Sequence, residues 1–189
     1  MERFLEALLS SKPSEHSDIF LEYIPELKPC VGFNHNHPWH HLDVWNHILL
    51  TMDLSPNDKI IRMALLLHDI AKPDTMTIDA EGISHYKGHP EKGYEKSIEI
   101  LKRFSCFSEE EKKKILLLIK NHDNCLGLTY KTLKRKLINW GEETVDRMLK
   151  VQRADALAHN PEKIASRVQM LEEIEEKIEE IKKELREEL

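Results

Sequence analysis

Ala64-Leu65-Leu66-Leu67-His68-Asp69-Ile70-Ala71-Lys72-Pro73 is an apolar helical run that ends in two metal-binding side chains, a lysine and a proline that reads as the stop. Neighbouring side chains on a helix diverge by about 100°. His68 and Asp69 can therefore share one ion only where the last turn loosens. Alternatively, the carboxylate bridges two ions while the imidazole holds one. The dipeptide alone carries little weight, because the chain has a second at His122-Asp123. Its weight comes from His47 upstream and from His89, His122 and Asp155 downstream, each placed by the sequence pattern at the end of a helix or inside one.

Working outward, short amphipathic helices are expected over 2–10 and 17–27. Pro25, Pro29 and Gly32 then break the chain ahead of a histidine-dense loop with His35, His37, His40 and His41. A helix resumes at Asp43, and Ser55-Pro56-Asn57-Asp58 caps the one that ends at His68-Asp69. Thr77, Ile78, Ile83 and Tyr86 flank Asp79-Ala80-Glu81-Gly82 as a small hairpin or ordered excursion. A helix follows His89-Pro90 to about Phe104, and Ser108-Glu109-Glu110-Glu111 is a capping box for the next. Further helices fit 130–139 and 142–158.

Asn160-Pro161 then predicts the start of a long final helix. Ile164, Val168, Leu171, Ile174, Ile178, Ile181, Leu185 and Leu189 form its apolar seam among glutamates and lysines. About 28 residues would run roughly 42 Å. That length allows either packing on its own domain or self-association as a homodimer through the C-terminal helix. The expectation is a single all-α domain over 1–189, with a metal-binding core at 35–160 and the long helix at 161–189.

Composition narrows the function. The 189 residues carry only 6 Gly, and Leu, Ile, Glu and Lys dominate, as in a helical protein. Residues 172–189 hold nine Glu against four Lys or Arg, so most of the net charge of −6 lies there. Extended duplex binding is therefore not expected, and the one basic run, Lys131 to Lys136, reads as a solvated face. Cys30, Cys106 and Cys125 form no C-x-x-C pair, and an odd number argues against a disulfide framework. No apolar run is long enough to span a membrane, and no signal-peptide pattern is seen, so the chain reads as cytoplasmic.

Six imidazole and carboxylate donors exceed the needs of one ion with open positions. A two-metal centre bridged by Asp69 uses them naturally. Such donors suit Mn, Fe, Co, Ni or Zn, with Mg also admitted, better than Ca. Lys72, one turn beyond His68, sets a cation beside these donors.

The spacing of His47, His68-Asp69 and Asp155 resembles the H…HD…D signature of HD-domain metal-dependent phosphohydrolases. More narrowly, Asp43-Val-Trp-Asn-His47, Leu67-His68-Asp69-Ile-Ala-Lys72-Pro73, Tyr86-Lys-Gly88-His89 and Arg153-Ala154-Asp155 resemble the HD domain of bacterial tRNA nucleotidyltransferases. The Gly-rich nucleotidyltransferase head is not among the fragments, and Ala71 stands where a glycine is common.

The resemblance implies a primary metal site of His47, His68, Asp69 and Asp155, with His89 and His122 at a second ion. It also implies hydrolysis of a phosphate monoester or diester, of a nucleotide or similar small molecule, by hydroxide generated at the metal. Asp69 and Lys72 are then the catalytic candidates, and Lys72, His41 and Arg153 the substrate-binding ones. His40, His41, His85 and Asp123 are candidates for the leaving-group acid. The competing readings are a nucleotide-sensing module that binds without cleaving and, less favoured, a diiron oxygenase.

Overall fold

The computed structural model describes residues 1–124 and 126–187. Cys125 and the seam residue Leu189 lie outside the described residues.

The architecture follows from one helix with no solvent-facing side. Helix α4 (Lys59–Leu67) is buried at every position from Ile60 to Leu67, as expected of a helix apolar nearly all round. Its start is fixed by Asp58, whose carboxylate accepts from the Ile60 and Ile61 amides at 2.8 and 3.1 Å. Burying a leucine such as Leu65 or Leu66 contributes roughly 1.5–3 kcal/mol. Arg62 is the polar exception. Its guanidinium donates to the carbonyls of Leu8 and Ser10, at 2.9 and 2.8 Å, where α1 (Glu2–Leu8) has ended. A cation there also suits the negative end of the α1 dipole.

Around α4 pack α1, α3 (Val44–Asp53), α7 (Glu109–Asn121) and α9 (Glu142–Leu157), with α6 (His89–Lys102) packed on α7 and Gly93 of α6 against His68 O at the end of α4. Asp43 caps α3 through the Asn46 amide at 2.9 Å, and the Ser108–Glu111 capping box opens α7 with both reciprocal bonds. Helix α2 is shorter than expected, Ser17–Tyr23, because Pro25 turns the next residues into a 3-10 segment, Pro25–Cys30.

Pro73 does not stop the metal-bearing helix. That helix ends at Leu67 with His68 as C-cap, and Pro73 lies in the first turn of a new short helix, α5 (Lys72–Thr75). A missing N–H is harmless at that position. The excursion is a two-stranded antiparallel hairpin, β1 (Thr77–Ile78) and β2 (Ser84–His85). Asn36 joins the histidine-rich loop to it, with Ser84 N bonded to Asn36 O at 3.1 Å. Gly88 then turns the chain into α6 with φ 82°, a left-handed conformation that glycine adopts without strain.

The final helix also differs from expectation. After α8 (Tyr130–Trp140) and α9, the last helix α10 spans Ala165–Glu187 and does not begin at Pro161. The Asn160 side chain closes a local turn on Glu162 N at 3.1 Å, while its backbone N–H donates to Trp39 O at 2.8 Å. The chain is thus held against the histidine-rich loop before the helix starts. The seam residues Leu171, Ile174, Ile178 and Ile181 are buried, and α10 packs on α8 and α9 of the same chain. No helix among the described residues is long and apolar enough to cross a membrane.

Candidate metal centre

Five elements bring the six expected ligands together. His47 comes from the middle of α3, and His68 and Asp69 from the end of α4. His89 is the first residue of α6, His122 the C-cap of α7, and Asp155 lies in the last turn of α9. All six are buried.

The two oxygens of Asp69 face different groups. Oδ2 lies 3.6 Å from His47 Nε2 and 3.3 Å from His68 Nε2, and Asp155 Oδ1 lies 3.0 and 3.7 Å from the same two nitrogens. Oδ1 lies 3.3 Å from His89 Nε2 and 3.7 Å from His122 Nε2. Donors bound at roughly 2.1 Å around a common ion stand ~3.0–3.4 Å apart in octahedral or tetrahedral geometry. Each half holds contacts of that spacing, 3.0 and 3.3 Å in the first and 3.3 Å in the second, and its other contacts, 3.6–3.7 Å, are a few tenths wider.

The proton positions make the stronger case. Nδ1 of His68 lies 2.6 Å from Leu65 O, that of His89 2.8 Å from Tyr86 O, and that of His122 2.7 Å from Ile119 O. A carbonyl accepts only, so each Nδ1 carries a proton, Nε2 is the atom each ring turns into the centre, and a ring that is neutral presents it as a bare lone pair. His89 Nε2 and His122 Nε2 are nevertheless 3.1 Å apart. Two lone pairs at that distance repel unless a cation lies between them. His68 Nε2 and both Asp69 oxygens are buried without a hydrogen-bond partner. Three orphaned donor atoms at one point fit a metal centre and are costly otherwise.

Charge balance in the metal-free protein points the same way. Burial disfavours a charged His68, yet Asp69 and Asp155 outweigh it and lift its pKa to about 10. Burial likewise opposes ionisation of Asp69, but the charges of His68 and Lys72 hold its carboxyl well below the usual range. Burial, then the charge on His68, lowers His122 to about 4. The pocket thus concentrates negative charge on two carboxylates and retains a proton where a metal would bind.

Lys72 is buried beside this centre. Its ammonium lies 2.8 Å from Asp69 Oδ2, off the axis of a hydrogen bond, and donates to His35 Nε2 at 3.1 Å. His35 can accept because its Nδ1–H is committed to Leu42 O at 2.9 Å. Burial, then the charge of Lys72, lowers the His35 pKa to about 3 and keeps the ring neutral. His40 stacks flat on His35, with centroids 3.6 Å apart.

Two sequence expectations are corrected here, and two residues the sequence reading missed are added. His41, the preferred pocket histidine of the loop, is exposed. Turning His40 inward onto His35 leaves its chain neighbour facing outward, and the loop histidines that line the cleft are His37 and His40. Arg153 does not reach the centre. Its guanidinium binds Glu172 and Glu175 of α10 at 3.2 and 3.0 Å. His159 is buried against His40 and His47, with Nδ1 2.6 Å from Asp155 O. Its position four residues after Asp155 on the end of a helix was the available signal. Arg167, whose Nη2 donates to Asp155 Oδ2 at 3.2 Å, had no signal in the sequence.

The cleft above the centre is about 350 Å³ and is lined by His37, His40, Lys72, His85, Lys87 and Asp123 beside the ligands. Trp39, exposed, lines a neighbouring depression with Arg167 and shares His37, His40 and His159 with the cleft.

Comparison with known proteins agrees with this geometry. A family model described as "HD domain" matches residues 36–160. The CC-adding tRNA nucleotidyltransferase of Thermus thermophilus is 31% identical over 146 residues, which cover 72% of this chain and 32% of that protein. The A-adding tRNA nucleotidyltransferase of Deinococcus radiodurans is 31% identical over 131 residues, 62% of this chain and 30% of that one. The chain spans about a third of the length of either relative. Both the order of the histidines and aspartates along the sequence and their meeting point in space lead to one assignment: the chain belongs to the HD-domain family.

Proposed function

We propose that the protein is a metal-dependent phosphohydrolase for a small phosphate monoester or diester, with nucleotides the first candidates. The observation that carries this is Asp69, whose two oxygens face two separate sets of imidazoles across one buried carboxylate. When bound, two divalent ions supply Lewis acidity toward a phosphoryl oxygen and acidify water to a pKa near ~7.

The chain's own residues supply the rest. Asp69 fixes the spacing of the two ligand sets. Lys72 offers a buried cation to a non-bridging phosphoryl oxygen, and neutral His35 holds that ammonium in place. The cleft volume is at the small end of the ~300–1,000 Å³ typical of small-molecule sites. Its wall is polar and carries two lysines, which suits an anionic substrate over an apolar one.

His37, His85 and Asp123 stand where a leaving group would need a proton. His85, held by its Nε2 to Asp79 Oδ2 at 2.6 Å on the hairpin, is one such candidate. The relatives' names concern addition of nucleotides to tRNA, and this chain corresponds to about a third of each. The residues gathered here are suited to breaking a phosphoester bond. The test is phosphate release from a panel of nucleotides and other phosphoesters with Mn²⁺, Co²⁺ or Ni²⁺. Activity is expected with at least one pair and is expected to stop with EDTA. Full activity in a His68→Ala, Asp69→Ala double variant would remove the proposal.

A further inference from the structure

We propose that Arg167, from the final helix and beyond the segment matched to the family, is a positioning residue for Asp155 and so sets the affinity of the ion held by His47, His68 and Asp155. This rests on the metal-centre reading above.

Asp155 divides its two oxygens. Oδ1 faces His47 Nε2 at 3.0 Å, with His68 Nε2 and His159 Nδ1 each at 3.7 Å. Oδ2 accepts from Arg167 Nη2 at 3.2 Å. A carboxylate free to rotate would offer either oxygen, or both, to an ion. With Oδ2 occupied by a guanidinium, one oxygen in one orientation remains for the metal.

Two features suggest the contact is selected for, beyond chance proximity. Arg167 lies in the first turn of α10, which begins at Ala165. A cation there opposes the helix dipole, so the position is unfavourable unless something offsets it. The other partner is nearly inaccessible, the Asp155 side chain being 6% exposed against 28% for Arg167. An unpaired carboxylate oxygen at that depth would be costly. The turn at Asn160, bonded to Trp39 O and Pro38 O, fixes where α10 starts and thereby where Arg167 reaches.

The experiment measures binding, not turnover. Co²⁺ is titrated into the full chain, wild type and the variants Arg167→Met and Arg167→Lys, by calorimetry and by the visible absorption of bound cobalt. Circular dichroism checks that each variant is folded. A His122→Ala background isolates the His47/His68/Asp155 ion, and a His47→Ala background isolates the other. The expected result is a loss of affinity of about 10–100-fold for the first ion in Arg167→Met, the usual effect of removing a partner that orients a ligand. Arg167→Lys should recover part of it, the cobalt spectrum of the first ion should shift, and the second ion should bind unchanged.

Affinity within about twofold of wild type in Arg167→Met, equal weakening of both ions, or a lysine variant as weak as the methionine one would each overturn the role. If the wild-type chain binds no cobalt, the metal centre itself fails and the role of Arg167 with it.

Discussion

The protonation of His68 gives a quantitative handle on the site. In the metal-free protein the carboxylates of Asp69 and Asp155 outweigh the effect of burial and raise this imidazole from 6.5 to about 10. Nδ1 is already committed to Leu65 O, so the additional proton sits on Nε2, the atom an ion needs. Loading must displace it. Below the raised pKa the apparent association constant then climbs tenfold per pH unit. At pH 7, about three units below, it is reduced roughly a thousandfold, or about 4 kcal/mol, from its limiting value.

The same shift works in the opposite direction on the metal-free fold. A raised histidine pKa stabilises the folded state fully below the ordinary value of 6.5, and that contribution fades as pH rises through about 10. The stabilisation on adding Co²⁺ should therefore grow between pH 6.5 and 8.5, because the metal-free protein weakens while the loaded one, whose His68 is unprotonated like that of the unfolded chain, holds level. Calorimetry at pH 7 in buffers of differing ionisation enthalpy counts the protons released, and thermal melts with and without Co²⁺ follow the stabilities. No proton released at pH 7, together with an affinity flat from pH 6 to 8, would refute the reasoning.

Asp69→Asn removes the carboxylate that faces both imidazole sets and should abolish binding of both ions; metal content after dialysis, by mass spectrometry, checks it. His122→Ala should lower the stoichiometry from two ions to one and leave the His47/His68/Asp155 ion bound, as counted by the same method. Cys30 is buried and burial raises its thiol to about 12, so at pH 8 it should resist alkylation in the native protein and react once denatured, as peptide mapping would show. Leu118→Ala, at a fully buried position of α7, should cost about 2–5 kcal/mol of folding stability by denaturant titration.

The helices were legible in the sequence because their ends are written in side chains. Asp43, Asp58 and Ser108 cap α3, α4 and α7 as their residue types suggest. The clustering of the six candidate residues was legible because family spacing and helix ends coincide. What was not legible depends on distances between segments far apart in the chain. Nothing local tells His40 from its neighbour His41. The choice follows from the stacking of His40 on His35 and from the bonding of the loop to the hairpin. Arg153 and Arg167 could not be ranked without knowing which face of α9 meets α10. Pro73 was misread for a simpler reason, since a proline that ends one helix and a proline that opens the next look alike in sequence.

His68 and His122 each hydrogen-bond a carbonyl three residues back, at the unravelling end of the helix that carries them. Each ring is therefore fastened to its own rod and has little freedom to adjust to a neighbour. Errors in how α4 and α7 lie against one another pass undiminished to the ligand atoms. A change of a few tenths of an ångström in that packing, made deep in the apolar layer and far from any donor, should alter cobalt binding as surely as trimming a ligand. Residues that never touch an ion would then constrain how this centre can evolve.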